Sequence, residues 1–442
     1  MCSELIRIPF VWGGVPMFGF GVLLAVWAVA SIVTLVGLVR QYGWSGETWG
    51  TVPVLLLTGA AIFWLPQVFP DGLPLRGYGL MVLAGISAGV ALAVYRARQQ
   101  GIDPELILSL TIWLVIFGVI GARLFYVIEY WPTKFAGKNL SQTLLEIVNI
   151  PEGGLVVYGA LIGAALGFAI FVRKYKLPLL AAADMIAPSL AIGLAFGRIG
   201  CFLNGCCYGG ETERPWAVTF PKYSSRFEAA KPADERRFSF PYVDQAARGE
   251  AYGFRIDSRG NEPAVVTQVE PGSPAAQAGL QMDDAIVAVN QTQIAALGSA
   301  KTAIFDAFEK QKPLSVERRG KPPVTIPPVP TPDRSRPVHP AQLYSAIDAA
   351  LLCWLLWAFY PFRRHDGQVV ALMLIIHPIT RFLLEIIRTD EPAVFDTGLS
   401  ISQNISVAVL VLGWGLWWYV TKQPRLAVDP ATKRPNAIST TR

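Results

Sequence analysis

The sequence predicts a polytopic α-helical membrane protein with a charged, β-rich domain inserted between two of its helices. Three observations indicate this fold class. Of the 442 residues, 52% are hydrophobic and only 16% are charged, whereas soluble proteins carry about a quarter charged residues. Nine stretches of mostly apolar residues recur along the chain, each of about 17 to 25 residues. Residues 211–338 contain 33 of the 70 charged residues, so the charge is concentrated in one internal segment.

The apolar stretches are long enough to span a bilayer, since about 20 helical residues cross its hydrocarbon core. We predict spans at 15–39, 52–69, 77–95, 106–130, 155–172, 183–204, 342–361, 368–387 and 402–420. Basic residues follow the third, fifth, seventh and ninth spans, which end on one side if the spans alternate. The positive-inside rule makes that side cytoplasmic. We therefore expect the insert outside the cytoplasm, the C-terminus inside it, and the spans in the membrane that bounds the cytoplasm.

Arg198 lies near the end of the sixth span, in the run GLAFGRIGCFLNG. A charged side chain within a membrane is costly, from ~2.5 to over ~10 kcal/mol at a helix centre, and by default indicates a functional site. Neighbouring glycines let a ligand or another helix approach the backbone, and Asn204 adds a hydrogen-bonding group. The alternative is that Arg198 reaches toward the lipid headgroups. The first interpretation predicts an anion pocket close to the membrane surface.

The five cysteines form neither a disulfide framework nor a C-x-x-C zinc pattern. Three alternatives remain open for Cys201, Cys206 and Cys207: apolar packing, a disulfide from Cys201 to one of the other two, or a reactive or metal site. Because no fourth zinc ligand is evident nearby, we expect no metal and no other cofactor. No basic patch with interleaved aromatic residues occurs, so no nucleic-acid partner is expected.

Five separate motifs resemble, in the correct order, those of the phosphatidylglycerol–prolipoprotein diacylglyceryl transferase family of bacterial membrane enzymes. They are RGYGLMVLAG with Tyr78, GARLFYVIEY with Arg123, EGGLVVYGALIG with Tyr158, GRIGCFLNG with Arg198 and Asn204, and HPAQLY (339–344) followed by TRFLLEIIR with Arg381. The resemblance covers roughly 74–210 and 337–420, about half of the chain. It implies a core of seven membrane helices, preceded here by an extra hairpin.

The resemblance implies transfer of a diacylglyceryl group from phosphatidylglycerol to the lipobox cysteine thiol of a prolipoprotein, with release of glycerol phosphate. Arg198 and Arg381 are then a clamp for the lipid phosphate, because guanidinium groups bind phosphate bidentately. Glu385, one turn from Arg381, is a candidate counter-ion. Asn204, Tyr78, Tyr344, Gln342 and Arg123 are the remaining candidate substrate contacts.

The resemblance does not identify the proton acceptor of this site, because Tyr158 stands where the family has a histidine. A phenol with a pKa near ~10 is a poor base at neutral pH. His339 is the other catalytic candidate, with capping of the seventh span as the alternative role. His365 lies in a cytoplasmic loop and His377 within the eighth span.

The insert resembles a bacterial PDZ domain. The resemblance lies in GFRID, in AVVTQVEPGSPAAQAGLQMDDAIVAVNQTQI, in a helix-like SAKTAIFDAFEKQ and in PLSVERRGKPPVTIP. VVTQV and AIVAV are predicted strands, SPAAQAG is a predicted short helix, and WAVTF upstream is a predicted short strand. Such domains bind extended peptides by β-augmentation, here along the strand that starts at Gly253 and Phe254.

The domains expected are an extra hairpin (1–73), a first core segment (74–210), a periplasmic linker (211–244), the PDZ-like domain (245–328), a second core segment (329–421) and a cytoplasmic tail (422–442).

Two other functions are considered. Tyr158 and Cys206, which stands where the family has a glutamate, favour a catalytically degenerate relative that binds lipid or lipoprotein and uses the PDZ-like domain to recruit a partner. An intramembrane metalloprotease is disfavoured, because the sequence has no H-E-x-x-H motif. A transporter is disfavoured by the lack of two matching halves.

Overall fold

The computed structural model describes residues 4–149, 153–229, 231, 236–259, 262–388, 393–394 and 398–425. The chain divides into two compact units that are each assembled from separate segments. The first comprises Met1–Leu80, Gly200–Cys206 and Glu211–Val338, and the second comprises Met81–Ile199, Cys207–Gly210 and His339–Arg442. The first unit contains the charged insert, and the second contains most of the membrane helices.

Nine helices among the described residues are long and apolar enough to cross a membrane. They are α1 (Val22–Tyr42), α2 (Gly46–Val68), α3 (Gly77–Gln99), α4 (Pro104–Glu129), α6 (Val157–Lys174), α7 (Leu179–Asn204), α12 (Ala341–Phe359), α13 (Gln368–Ile387) and α14 (Ile401–Thr421). Each overlaps one predicted span, so the polytopic helical fold is confirmed. The predicted start of the first span at residue 15 is wrong. Val15 and Pro16 pair with a neighbouring strand, and Gly19 at φ +69° turns the chain before the helix begins.

Shorter elements complete the described chain. The helices are α5 (Leu140–Val148), α8 (Arg226–Ala229), α9 (Phe240–Ala247), α10 (Pro274–Gln277) and α11 (Leu297–Glu309). The strands are β1 (Glu4–Ile8), β2 (Val11–Trp12), β3 (Val15–Pro16), β4 (Leu73–Arg76), β5 (Phe254–Arg259), β6 (Glu262–Val269), β7 (Ile286–Val289), β8 (Thr292–Gln293), β9 (Leu314–Arg318), β10 (Lys321–Ile326), β11 (Ala393–Val394) and β12 (Leu399–Ser400). Within the first unit, β1 pairs antiparallel with β4 at the ends of the α1–α2 hairpin.

Close backbone packing joins α4 and α6 in the second unit. Gly159, Gly163 and Gly167 repeat every four residues along α6 and are all buried. A Cβ atom added at Gly163 would lie 2.2 Å from the carbonyl oxygen of Phe117, and one at Gly159 would lie 2.4 Å from that of Gly121. Small residues at this spacing allow two membrane helices to touch along their backbones. The position of α6, which carries Tyr158 in its first turn, is thereby fixed against α4.

A buried carboxylate connects α7 to α13. Asp184 accepts hydrogen bonds from the backbone N–H groups of Gly367, at 2.7 Å, and Val370, at 2.8 Å. These groups lie at the start of α13, where the backbone donors have no helical partner. Asp184 also lies 3.7 Å from Arg363, so its ionic partner is a loop arginine. Asp184 therefore holds the first turn of α13 against α7, the helix that carries Arg198.

The insert in the first unit has its own apolar core around two antiparallel sheets. The larger sheet has the strand order β10-β9-β7-β8, and the smaller is the β5–β6 pair. Their core includes Tyr252, Phe254 and Phe308, and it extends to Tyr242 of α9 and to Val329. The strands β5, β6 and β7 and the helix α11 lie where the sequence predicts them.

The strand predicted at WAVTF (216–220) is wrong, because this segment forms only an isolated bridge from Val218 to Val338. Two further backbone groups of this segment bond to side chains, while the carbonyl of Phe220 accepts from the backbone N–H of Ser335 at 2.8 Å. The N–H of Phe220 donates to Ser335 Oγ at 2.9 Å, and the carbonyl of Thr219 accepts from Arg334 at 2.6 Å.

Candidate functional site

Arg198 is a half-buried cation in the last two turns of α7. Within the described part of the chain it forms no hydrogen bond and no ion pair. Charged side chains at membrane depth normally pair with an opposite charge or a backbone carbonyl. The Arg198 guanidinium therefore has its hydrogen-bond donors available for an anion.

Arg381 on α13 is held in a network of polar groups. It forms an ion pair with Glu385, one turn further along the same helix, and donates a hydrogen bond to Ser402 Oγ at 2.8 Å. The Glu385 carboxylate is only 5% exposed and also lies 3.7 Å from Arg388 and 3.4 Å from Ser400 Oγ. The pairing expected for Glu385 is thus confirmed, and the Arg381 charge is balanced within the protein.

His377 occupies the same face of α13 one turn before Arg381. Its imidazole interacts electrostatically with Asp348 on α12, with Arg198 on α7 and with Arg381. The ring nitrogen Nδ1 is buried and has no hydrogen-bond partner among the described residues. Asp348 is held by a hydrogen bond of 2.9 Å from Thr380. The charges of the two arginines that were predicted to act together therefore both act on His377. The sequence had indicated only that this histidine lies within a membrane span.

The start of α12 positions His339, Gln342 and Tyr344. The backbone of His339 is fixed by hydrogen bonds of 2.9 Å with Gly209 and Gly210, and its Nδ1 lies 3.2 Å from the Tyr344 hydroxyl. Gln342 is 1% exposed. His339 and Tyr344 thus form one rigid polar pair, while Gln342 belongs to the interior of this unit.

Arg123 and Tyr158 lie on the tightly packed pair α4 and α6. The Arg123 guanidinium donates five hydrogen bonds to backbone carbonyls, those of Glu146, Ile147, Asn149, Gly153 and Gly154. These bonds fix the chain between α5 and α6, and Arg123 acts there as a structural cation. Tyr158 is 39% exposed and forms no hydrogen bond with the described residues.

Asn204 and Tyr78 belong to the first unit. Asn204 is the last residue of α7 and lines a cavity of about 460 Å³. The cavity wall also carries the charged side chains of Glu4, Arg7, Asp71, Arg76, Glu228, Lys231 and Arg237. Tyr78 is the second residue of α3 and is half-exposed.

Cys201 and Cys206 are free thiols in the first unit. Their sulphur atoms lie within 4.8 Å of each other, and Cys206 Sγ lies 3.8 Å from the carbonyl oxygen of Cys201. The two thiols are not linked by a disulfide, so apolar packing and a reactive or metal site remain as alternatives.

The predicted peptide-binding strand of the insert starts where expected. Gly253 has φ +82°, and Phe254 begins β5. The N–H groups of Phe254 and Ile256, on the edge of β5 away from β6, donate to the carbonyls of Gly249, at 3.3 Å, and Arg248, at 3.1 Å. The chain's own upstream residues therefore cover the edge on which a ligand strand was expected to pair.

The helices and these side chains define a polytopic membrane protein with a cationic site inside its membrane-spanning unit. The profile of the family described as prolipoprotein diacylglyceryl transferase matches residues 66–419. A protein of Rhodopirellula baltica named phosphatidylglycerol–prolipoprotein diacylglyceryl transferase is 30% identical over 466 aligned residues, covering 93% of this chain and 87% of its own. The chain belongs to the prolipoprotein diacylglyceryl transferase family.

Two further relatives align over shorter segments. A protein of Clostridium perfringens named phosphatidylglycerol–prolipoprotein diacylglyceryl transferase 2 is 39% identical over 36% of this chain and 58% of its own. A protein of Thermosynechococcus vestitus named phosphatidylglycerol–prolipoprotein diacylglyceryl transferase is 40% identical over 33% of this chain and 53% of its own. The chain thus spans little more than half of the length of these two relatives.

Proposed function

We propose that this chain transfers the diacylglyceryl group of phosphatidylglycerol to the cysteine thiol of a prolipoprotein lipobox. In this reaction a bond forms between the cysteine sulphur and the terminal glyceryl carbon. The bond between that carbon and the phosphate oxygen breaks, and glycerol phosphate leaves with the electron pair. Family membership supports the reaction, and the single structural observation that carries it is the guanidinium of Arg198 at membrane depth, which has no partner among the described residues.

The two arginines have different roles in this proposal. Arg198 binds the phosphate of the incoming lipid, because its donors have no partner within the described chain. Arg381, already balanced by Glu385, stabilises the charge that grows on the departing phosphate. His339 and Tyr344, with Asn204 and Tyr78, orient the substrates, and Tyr158 contacts the thiol. Gln342 and Arg123 support these contacts through the fold.

The proposal is tested with purified protein in vesicles of phosphatidylglycerol, to which a synthetic lipobox peptide is added. Mass spectrometry is expected to detect a thioether-linked diacylglyceryl group on the peptide. Arg198→Ala should lower the rate by about 10² to 10³, the usual effect of removing one donor to a developing anion. Arg198→Lys should recover only part of the rate, because an ammonium group lacks the bidentate geometry.

Arg173→Ala is the matched control, since Arg173 is an exposed arginine at the end of α6. Its rate should equal that of the unaltered protein. A well-folded protein that binds phosphatidylglycerol but transfers nothing to the peptide would support binding without catalysis instead.

The protein is a multi-pass bacterial membrane protein, and we propose the inner membrane with the insert in the periplasm and the C-terminus in the cytoplasm. Basic residues at the ends of alternate helices support this orientation. A fluorescent protein fused after Arg425 should fluoresce. Alkaline phosphatase inserted at Met282, which is 62% exposed on the insert, should be active. The opposite pair of results would reverse the orientation.

We further propose that residues 245–328, between the core segments 74–210 and 329–421, form a peptide-binding arm at Gly253 and Phe254. A ligand strand can pair with β5 only after the segment at Arg248 and Gly249 moves away. The ion pair of Arg248 with Asp244, at 3.1 Å, helps to hold that segment.

Arg248→Ala should therefore increase the retention of extended peptides from a display library by the full-length protein. Lys310→Ala, which removes a lysine of an exposed ion pair, should not. If the Arg248→Ala protein retains no more peptide than a chain lacking 245–328, the peptide-binding proposal is wrong.

A further inference from the structure

The transfer proposed above requires a group that accepts the proton of the cysteine thiol. The thiolate is the nucleophile, and a cysteine with its usual pKa near ~8.5 is mostly protonated at neutral pH. The known transferase reaction does not by itself identify that group in this chain, because Tyr158 is a phenol. The question is which side chain of the second unit can take the proton.

The other titratable groups near the site are already engaged. The Nδ1 atom of His339 lies 3.2 Å from the hydroxyl of Tyr344. The carboxylate of Glu385 is shared by Arg381, Arg388 and Ser400. A proton placed on that carboxylate would leave the Arg381 charge without its partner, which is unfavourable in a low-dielectric site.

We propose that His377 accepts the thiol proton, an inference that rests on the proposed function. Its Nδ1 atom is buried and has no hydrogen-bond partner among the described residues. A buried polar atom left unpaired normally costs free energy, and a substrate thiol would supply the missing partner. His377 lies one turn from Arg381 on the same face of α13, so a group bound by that arginine is within reach of the ring.

The charges around His377 indicate an order of events. The charges that act on the ring are those of Asp348 on α12, Arg198 on α7 and Arg381 on α13. The two cations oppose a positive charge on the imidazole. The phosphate of a bound phosphatidylglycerol offsets them, so the ring becomes a better acceptor once the lipid is in place.

The transfer step then needs no further reactant to accept or supply protons or electrons. The proton moves from sulphur to Nδ1 as the sulphur–carbon bond forms and the carbon–oxygen bond breaks. The resulting imidazolium gives that proton to the departing glycerol phosphate, which returns His377 to its neutral form. No oxidation or reduction occurs in this step.

The experiment measures transfer in phosphatidylglycerol vesicles between pH 6 and pH 9.5 for the unaltered protein and for His377→Gln. We expect the variant to be about 10² to 10⁴ slower at pH 7, the range for loss of a general base. The deficit should shrink as the pH passes the thiol pKa near ~8.5, because the thiol then ionises without help. Binding of a fluorescent phosphatidylglycerol should be retained. His365→Gln, a histidine in the loop between α12 and α13, should behave as the unaltered protein.

A rate within about threefold of the unaltered protein would overturn the assignment, since loss of a general base costs at least ~10². An equal deficit at every pH with lipid binding retained would also overturn it and indicate a structural role. If the glutamine variant is not monodisperse, His377→Asn, whose amide lies near the position of Nδ1, is judged by the same criteria. Absence of transfer by the unaltered protein would refute the proposed function itself, a result distinct from all of these.

Discussion

Two arginines of one membrane-spanning unit differ in how their charge is balanced. Arg381 has Glu385 and Ser402 as partners, whereas Arg198 has no hydrogen-bond or ion-pair partner in the described chain. A cation beside an opposite charge can stay inside the protein at a moderate cost in free energy. A cation without such a partner is stabilised when a ligand supplies the opposite charge. This difference supports the proposal that Arg198 captures the anion and that Arg381 has a supporting electrostatic role.

The Arg381–Glu385 pair leads to a prediction about stability. Glu385→Gln removes the negative partner and leaves a largely buried guanidinium uncompensated. Removing one member of a buried pair typically destabilises a protein by about 3–5 kcal/mol. The free energy of unfolding in detergent should fall by that order. Glu309→Gln, on the exposed end of α11, should change it by less than about 0.5 kcal/mol. Equal values for the two variants would contradict the importance of the pair.

At the residue scale, the sequence predicted which charged residues are important more reliably than it predicted which groups they contact. The cost of an arginine within a membrane was sufficient to single out Arg198. Arg123 was a lesser candidate from sequence, and its donors bind carbonyls of a segment 23 to 31 residues away. His377 was passed over because it lies inside a span. Its spacing of four residues from Arg381 was the available signal.

At the scale of elements, α4 and α6 depend on glycine for their contact. The backbone of α6 at Gly163 touches that of α4 at Phe117 and Gly121. The four-residue spacing of glycines in α6 is visible in the sequence. The sequence does not show which helix packs against them, because helix association in a membrane depends on shape rather than on hydrophobicity.

Gly163→Ala is therefore expected to push the two helices apart. A methyl group at that position would meet a backbone oxygen at 2.2 Å, which a side-chain rotation cannot relieve. Overpacking of this kind typically costs about 1–3 kcal/mol, so the thermal midpoint in detergent should fall. Gly415→Ala on α14, where no atom lies within 4 Å of the added Cβ, should leave the midpoint unchanged or raise it slightly. A similar midpoint for both variants would show that α4 and α6 are not closely packed.

At the scale of the whole molecule, hydropathy was enough to predict the membrane helices. Nine spans were expected, and nine helices among the residues that the structure describes overlap them, because their length is set by the bilayer. The start of α1 differed because β2 and β3 pair before it. The covering of β5 by Arg248 and Gly249 could not be predicted, since it depends on the turn at Gly249, where φ is +90°, at the start of the predicted PDZ-like domain.

The stability of the folded insert should depend on pH, and this dependence can be measured on the full-length protein. Burial, and then the neighbouring negative charge of Glu211, raise the pKa of Glu250 from 4.5 to about 8. The folded insert thus binds more protons than the unfolded chain between these pH values, and its stability should fall as the pH rises through that window.

Limited proteolysis of the full-length protein should therefore cleave the insert faster at pH 8.5 than at pH 5.5. Both rates are to be corrected for the intrinsic activity of the protease at each pH. Glu250→Gln, which stays neutral, should reduce the difference. Faster cleavage at the lower pH would contradict the sign of this effect.

The covered edge of β5 has a consequence for the behaviour of many copies in one membrane. Open strand edges are templates for pairing between chains, and tethering to a bilayer raises the local concentration of inserts. Here β5 is occupied by the carbonyls of Arg248 and Gly249, β8 is only two residues long, and β10 begins with Lys321 followed by two prolines. None of these edges offers a long row of unpaired backbone groups, so the inserts can crowd together without polymerising.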